Sequence, residues 1–241
     1  MQATVRVEPA ETLPEALAAL LEEEAARAIA ARGRFALALT GGSVATSCYP
    51  RLARARLDWA RTELFFGDER AVPPDDPESN YGLARRLLIE PAAVPAARVH
   101  RMAADGPDLA AAAAVHEREL LAILGGPPRL DACLLGVGPD GHVCSLFPGH
   151  PAASEERRWV APVEGSPKPP PRRLTLTFPA LRAAELLVAV ALGEGKAAAL
   201  HASLDDERAH TPLALALRGA RRALVLLDPA AASLLRGRPG A

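Results

Sequence analysis

LDACLLGVGPDGHVCSLFPG, residues 130–149, is the stretch on which the fold turns. Its opening, Leu130 to Val137, is a continuous apolar run of strand length, the kind buried on both faces of a parallel sheet. Gly138-Pro139-Asp140-Gly141 then breaks the run as a turn and delivers Asp140 and His142, separated by one glycine, to the strand's carboxyl end.

Similar runs lie on either side. Phe35 to Thr40, Glu63 to Phe66, Trp159 to Val163, Arg173 to Phe178, Leu186 to Leu192 and Ala223 to Leu227 all read as strands. Helical spacing falls between several of them. Leu13, Leu17, Leu20, Leu21 and Ile29 follow a capping-box pattern at Thr12 and Glu15, with Gly33 as the stop. Ala110 to Leu124 is an alanine-rich helix closed by Gly125-Gly126. Gly67 to Asn80 reads as a polar, proline-rich loop and Glu164 to Pro171 as a stiff one. Strands alternating with helices predict an α/β fold in one domain over residues 1–241, a mostly parallel, doubly wound, Rossmann-like sheet flanked by helices. Ligands of such sheets bind beyond the carboxyl ends of the strands, where the glycine-rich loops gather.

A net charge of −1 supplies no global field for nucleic acid or an acidic membrane, so an anionic ligand needs a local site. The acid-rich amino terminus does not read as a signal peptide and no apolar run is long enough to span a bilayer, so a cytoplasmic address is expected. Three cysteines (Cys48, Cys133, Cys144) without paired spacing argue against disulfides and structural zinc, and the histidines lack ligand spacing. No metal is expected. Of 28 cationic residues, Lys168 and Lys196 alone are lysines.

Five segments could carry chemistry. In Phe35 to Thr46, a strand runs through Gly41-Gly42-Ser43 into a helix, and free N–H groups at a helix start favour an anion. The same residues would also serve as a bare turn, or, with Ser43 as nucleophile, as an approximate elbow whose second glycine is Ala45. Asp68, Arg70 and Asn80 follow a strand, with Asp68 and Arg70 suited to orienting and clamping. His142 is the natural general base near neutral pH, with Asp140 able to fix its tautomer. Cys144, among apolar neighbours, reads as a buried small residue. Arg172, after the proline run, and Lys196, after Gly193-Glu194-Gly195, suit phosphate contacts.

These motifs together resemble the 6-phosphogluconolactonase family, collinearly over nearly the whole chain. TGGS at Thr40 to Ser43, GDER at Gly67 to Arg70 with Ser79-Asn80, GVGPDGHVCSLFPG at Gly136 to Gly149, PRRLTLT at Pro171 to Thr177 and GEGKAAAL at Gly193 to Leu200 carry the match. The resemblance implies hydrolysis of 6-phosphoglucono-1,5-lactone in the oxidative pentose phosphate pathway without a cofactor. It also implies a fold similar to glucosamine-6-phosphate deaminases and ribose-5-phosphate isomerases. A monomer or weak homodimer acting on a small phosphorylated sugar lactone is expected. In this reading Gly41, Gly42, Ser43, Asn80, Arg172 and Lys196 bind substrate and phosphate. His142 is the base, Asp140 or Asp68 orients it, and Arg70 or loop N–H groups hold the oxyanion. Val44 and Ala45 depart from the family's usual Thr-Pro after the serine. The related deaminases carry a glutamate that falls, without gaps, on Phe147 here, and a phenyl ring transfers no proton.

Overall fold

The computed structural model describes residues 3–206 and 208–236. β1 (Thr4–Val7) leads into α1 (Leu13–Arg32), whose buried stripe of Leu13, Leu17 and Leu21 follows the helical period. The capping box is not formed. Thr12 donates its hydroxyl to the Pro9 carbonyl at 3.2 Å, and Glu15 pairs with Arg51 instead of reaching back. Gly33 does end the helix, at φ 76°, donating its N–H to Ile29.

β2 (Phe35–Leu39) is buried at every position and feeds α2 (Gly42–Leu52) through Thr40 and Gly41. β3 (Thr62–Phe66) follows, and then a short strand that the sequence hides within a polar loop, β4 (Asp68–Arg70). α3 (Asn80–Ala84) and α4 (Leu109–Leu124) precede β5 (Ala132–Gly136). The second half of the chain runs β6 (Val160–Val163), β7 (Arg173–Leu176), α5 (Phe178–Ala183), β8 (Leu187–Ala191), α6 (Ala197–Leu204), α7 (Pro212–Gly219) and β9 (Ala223–Leu227).

The main sheet has six strands in the order β1-β9-β8-β5-β2-β3, and every neighbouring pair is parallel. β2, β3 and β8 are buried at each residue, so both faces are covered. From β2 the chain moves outward to β3, then returns to place β5 on the other side of β2. That reversal opens a crevice between the loops after β2 and β5, the place where open α/β sheets bind ligands.

β4, β7 and β6 form a second, antiparallel sheet. Its register sets Asp68 opposite Thr175 and Arg70 opposite Arg173. Gly67 joins the two sheets: its N–H donates to Leu39 and its carbonyl accepts from Leu176.

One side chain fixes the entrance to α2. The buried Tyr49 hydroxyl donates to the Thr40 carbonyl at 2.5 Å and accepts the Thr40 N–H at 2.9 Å. Thr40 in turn accepts the Gly136 N–H on its hydroxyl at 3.1 Å, tying the end of β2 to the end of β5. Tyr49→Phe should therefore lower unfolding free energy by about 1–3 kcal/mol, the cost of orphaning buried polar groups, as read from urea denaturation. A change within a few tenths would mean that Thr40 finds other partners.

Candidate active site

The crevice is lined by three loops of the main sheet and by the small sheet set against them. Gly41, Gly42 and Ser43 enter from β2, Gly138 and His142 from β5, and Lys196 from beyond β8. Asp68, Arg70 and Arg173 come from the antiparallel pair β4–β7, Asn80 from the start of α3, and Lys168 from the Glu164–Pro171 loop. Four cations thus line the same pocket as one carboxylate, in a chain whose net charge is −1. The start of α2 adds unpaired N–H groups and the positive end of its dipole. Gly42 lies at φ 65°, which an L side chain rarely adopts.

His142 Nδ1 meets Asp140 Oδ1 at 2.5 Å. An ionised carboxylate only accepts, so Nδ1 carries the proton and Nε2 keeps its lone pair for the pocket. The loop closes tightly, with Gly138 N–H donating to the His142 carbonyl and Gly141 N–H to that of Gly138, both at 2.9 Å. A Cβ on Gly138 would lie 2.0 Å from His142 Nδ1, so only glycine leaves room for the ring. Behind it, the Phe147 ring packs with centroids 4.4 Å apart.

Burial pulls the His142 pKa below its ordinary value; the Asp140 hydrogen bond and charge pull it back, and Lys168 adds to the lowering. Burial also works against ionised Asp140, but the hydrogen bond and charge of His142, with Lys168 beside them, hold that carboxyl below its usual range.

Asp68 is occupied elsewhere. It accepts Asn80 Nδ2 at 3.0 Å and the Ser145 hydroxyl at 2.6 Å, with Arg173 at 3.9 Å. Of the two carboxylates left open by sequence reasoning, Asp140 is therefore the one bonded to the imidazole. Asn80 packs so closely that a Cβ on Gly41 would strike its Oδ1 at 1.9 Å. Glu69, which sequence reasoning passed over, is buried and gathers the N–H groups of Arg70, Asn80 and Tyr81 and the hydroxyl of Ser79 at 2.7–3.1 Å. Burial raises its pKa despite those bonds.

Arg172 does not reach the pocket. Its Nε faces Glu164 at 3.2 Å and its Nη2 donates to the Pro107 carbonyl at 2.8 Å. Arg173, one residue on, faces the other side of the strand and does line it. The alternation of a β-strand makes one of two adjacent arginines the inner one, and proline-run position alone does not say which. Lys168, on the loop read as a stiff spacer, also lines the pocket, and its rarity in this chain was the available signal. Ser43 lines the pocket as expected, but its hydroxyl makes no hydrogen bond with His142. Cys144 is buried at φ 49°, and burial holds its thiol well above the ordinary value, the opposite of an activated nucleophile. No helix is long and apolar enough to cross a membrane, among the described residues.

Comparison with known proteins fits this geometry. The family model described as glucosamine-6-phosphate isomerases/6-phosphogluconolactonase matches residues 8–225. A 6-phosphogluconolactonase from Streptomyces coelicolor is 44% identical over 238 residues, covering 93% of this chain and 91% of that protein. One from Rattus norvegicus is 43% identical over 231 residues, covering 92% and 90%. The solved structure of a Trypanosoma cruzi 6-phosphogluconolactonase superposes with a TM-score of 0.88 at 27% identity, over 98% of each chain.

Followed by NMR through pH, the His142 imidazole should protonate below the ordinary histidine value of 6.5. Asp140→Asn removes a charge that favours the imidazolium, so the midpoint should fall further. A rise on that substitution would show that Asp140 is not the partner of the ring.

Proposed function

Because the chain belongs to the family of glucosamine-6-phosphate isomerases and 6-phosphogluconolactonases, we infer that it hydrolyses 6-phospho-D-glucono-1,5-lactone to 6-phospho-D-gluconate with His142 as general base. It is a carboxylic ester hydrolase of the oxidative pentose phosphate pathway. The observation that carries the mechanism is the His142–Asp140 pair, 2.5 Å apart, set into a pocket lined by Arg70, Lys168, Arg173 and Lys196. A carboxylate-held imidazole needs a proton to remove, and the cations need an anion to hold. A phosphorylated lactone attacked by water supplies both.

The substrate's phosphate binds the N–H groups at Gly42 and Ser43 and the ammonium of Lys196, with Arg173 taking the part first read for Arg172. Gly41 lets the loop close on Asn80, and Asn80 fixes Asp68 at the pocket wall. His142 Nε2 takes a proton from water as the water oxygen bonds to the lactone carbonyl carbon. Asp140 steadies the imidazolium so formed. Arg70 and loop N–H groups hold the negative oxygen of the tetrahedral intermediate. When the intermediate collapses, the ring C–O bond breaks and the leaving oxygen receives the proton from His142. The product acid then ionises, releasing one proton per turnover.

The reaction as written uses no cofactor, and a monomer or weak homodimer in the cytoplasm suffices. Phe147, where the related deaminases carry glutamate, supports the hydrolytic branch. It lies against the His142 ring and under the Arg173 guanidinium, 5.5 Å from the ring centroid, as packing rather than as an acid.

Proton release from freshly made lactone, corrected for spontaneous opening, tests the reading. His142→Ala should lower kcat by about 10²–10⁴-fold, the contribution of a positioned base. Wild-type activity should be indifferent to a chelator. No acceleration over background by the wild type would remove the assignment.

For Lys196→Ala, KM should rise strongly with kcat less affected, since ground-state binding of phosphate is lost. A fall confined to kcat would take Lys196 out of the phosphate grip.

A further inference from the structure

Lys168 stands between the base and the anion pocket. Its ammonium is 3.4 Å from His142 Nδ1 and 3.5 Å from Asp140 Oδ1, and it lines the same pocket as Lys196 and the start of α2. Because Nδ1 spends its proton on Asp140, it has no lone pair to offer the lysine. The ammonium therefore meets the ring as a charge, not as a donor.

Its backbone is held firmly. The Lys168 N–H donates to the Ser166 hydroxyl at 3.2 Å, and that hydroxyl donates back to the Lys168 carbonyl at 2.9 Å. The buried Arg173 guanidinium donates to the carbonyls of Lys168, Pro169 and Pro170 at 2.9–3.0 Å. One arginine thus lines the pocket and fixes the lysine loop.

We propose that Lys168 is a positioning residue that couples arrival of the substrate's phosphate to the strength of His142 as a base. The proposal rests on the reading of this pocket as the phosphate site. In the empty enzyme the lysine charge sits beside the ring and opposes formation of an imidazolium, as does burial. Asp140, in contact, and Asp68, across the pocket, favour the imidazolium. Lys196, Arg70 and Arg173 complete the charges around the crevice, and the Phe147 face of the ring is uncharged. A dianion held by Lys196 and the start of α2, in the pocket that Lys168 also lines, offsets the Lys168 field at the ring. The base then strengthens only once substrate is in place, and stays unprotonated in its absence.

The test is an NMR titration of the His142 imidazole in the whole protein, with and without inorganic sulfate, which stays dianionic across the range. Wild type, Lys168→Met and the charge-conserving Lys168→Arg are compared. Sulfate should raise the wild-type midpoint. In Lys168→Met the midpoint should already be raised without sulfate and move little on its addition, while Lys168→Arg should behave like wild type. A Lys168→Met midpoint equal to wild type, or an undiminished sulfate shift, overturns the coupling. If saturating sulfate disturbs neither the Gly42 and Ser43 amides nor His142 in wild type, the phosphate site is wrong and the coupling falls with it.

Discussion

The site depends on one close approach, in which an imidazole and a carboxylate two residues apart fold over a backbone that has no Cβ. Asp140 and His142 point the same way because the loop from Gly138 to His142 bends back on itself through two backbone hydrogen bonds. The ring then lies where a side chain on Gly138 would be, 2.0 Å from a Cβ built there, and Asp140 Oδ1 lies only 2.6 Å from that same point. A bulkier residue would have to displace both groups at once. Gly141 adds a second restriction: at φ 77° it faces Thr211, whose Cβ would be 2.9 Å from an added carbon. The Asp140–His142 pair is thus held by the absence of atoms as much as by contacts.

Around this pair, buried charges are ringed by hydrogen-bond partners. Arg173 is only 3% exposed, and an isolated buried charge costs several kcal/mol. Three carbonyls, the Ser145 hydroxyl and Asp68 share its donors, so the guanidinium stays charged inside the protein although burial lowers its pKa. Glu69 solves the reverse problem by collecting N–H groups from the turn into α3. Each also fixes a segment that faces the pocket: Arg173, which lines the pocket itself, holds the lysine loop, and Glu69 holds the segment bearing Asn80.

How far this was legible in the sequence follows from which forces act locally. β2, β5 and β8 read correctly because strands buried on both faces must be apolar throughout, and that run is visible without knowing partners. β4 did not, because Asp-Glu-Arg carries no apolar signal and becomes a strand only by pairing with β7, about a hundred residues later in the chain. Asp140 and His142 were legible as a pair, since their relation is local. Whether Asp68 also reached the ring was not, because its partners Asn80, Ser145 and Arg173 come from three separate segments. Arg172 was preferred for the pocket and Arg173 occupies it, a matter of strand phase. The capping box at Thr12 failed because Glu15 found Arg51 on α2, a tertiary partner that no local pattern announces.

The departure at Val44 and Ala45 has a physical reading in the same terms. Both residues are buried, at 2% and 0% exposure, and the Val44 side chain faces Gly136 at the end of β5. Valine is close in shape to the threonine of the usual motif, so the packing of the helix start is kept while one hydroxyl is lost. The anion grip proposed for this loop does not depend on that hydroxyl alone. Its fixed parts are backbone N–H groups, and Tyr49 holds the turn that aims them by gripping both polar atoms of Thr40. The cations come from other segments entirely. A cradle built from main chain and distant side chains can therefore lose a polar group at its rim while keeping its charge and shape, which is why the glycines before Ser43 constrain this loop more tightly than the residues after it.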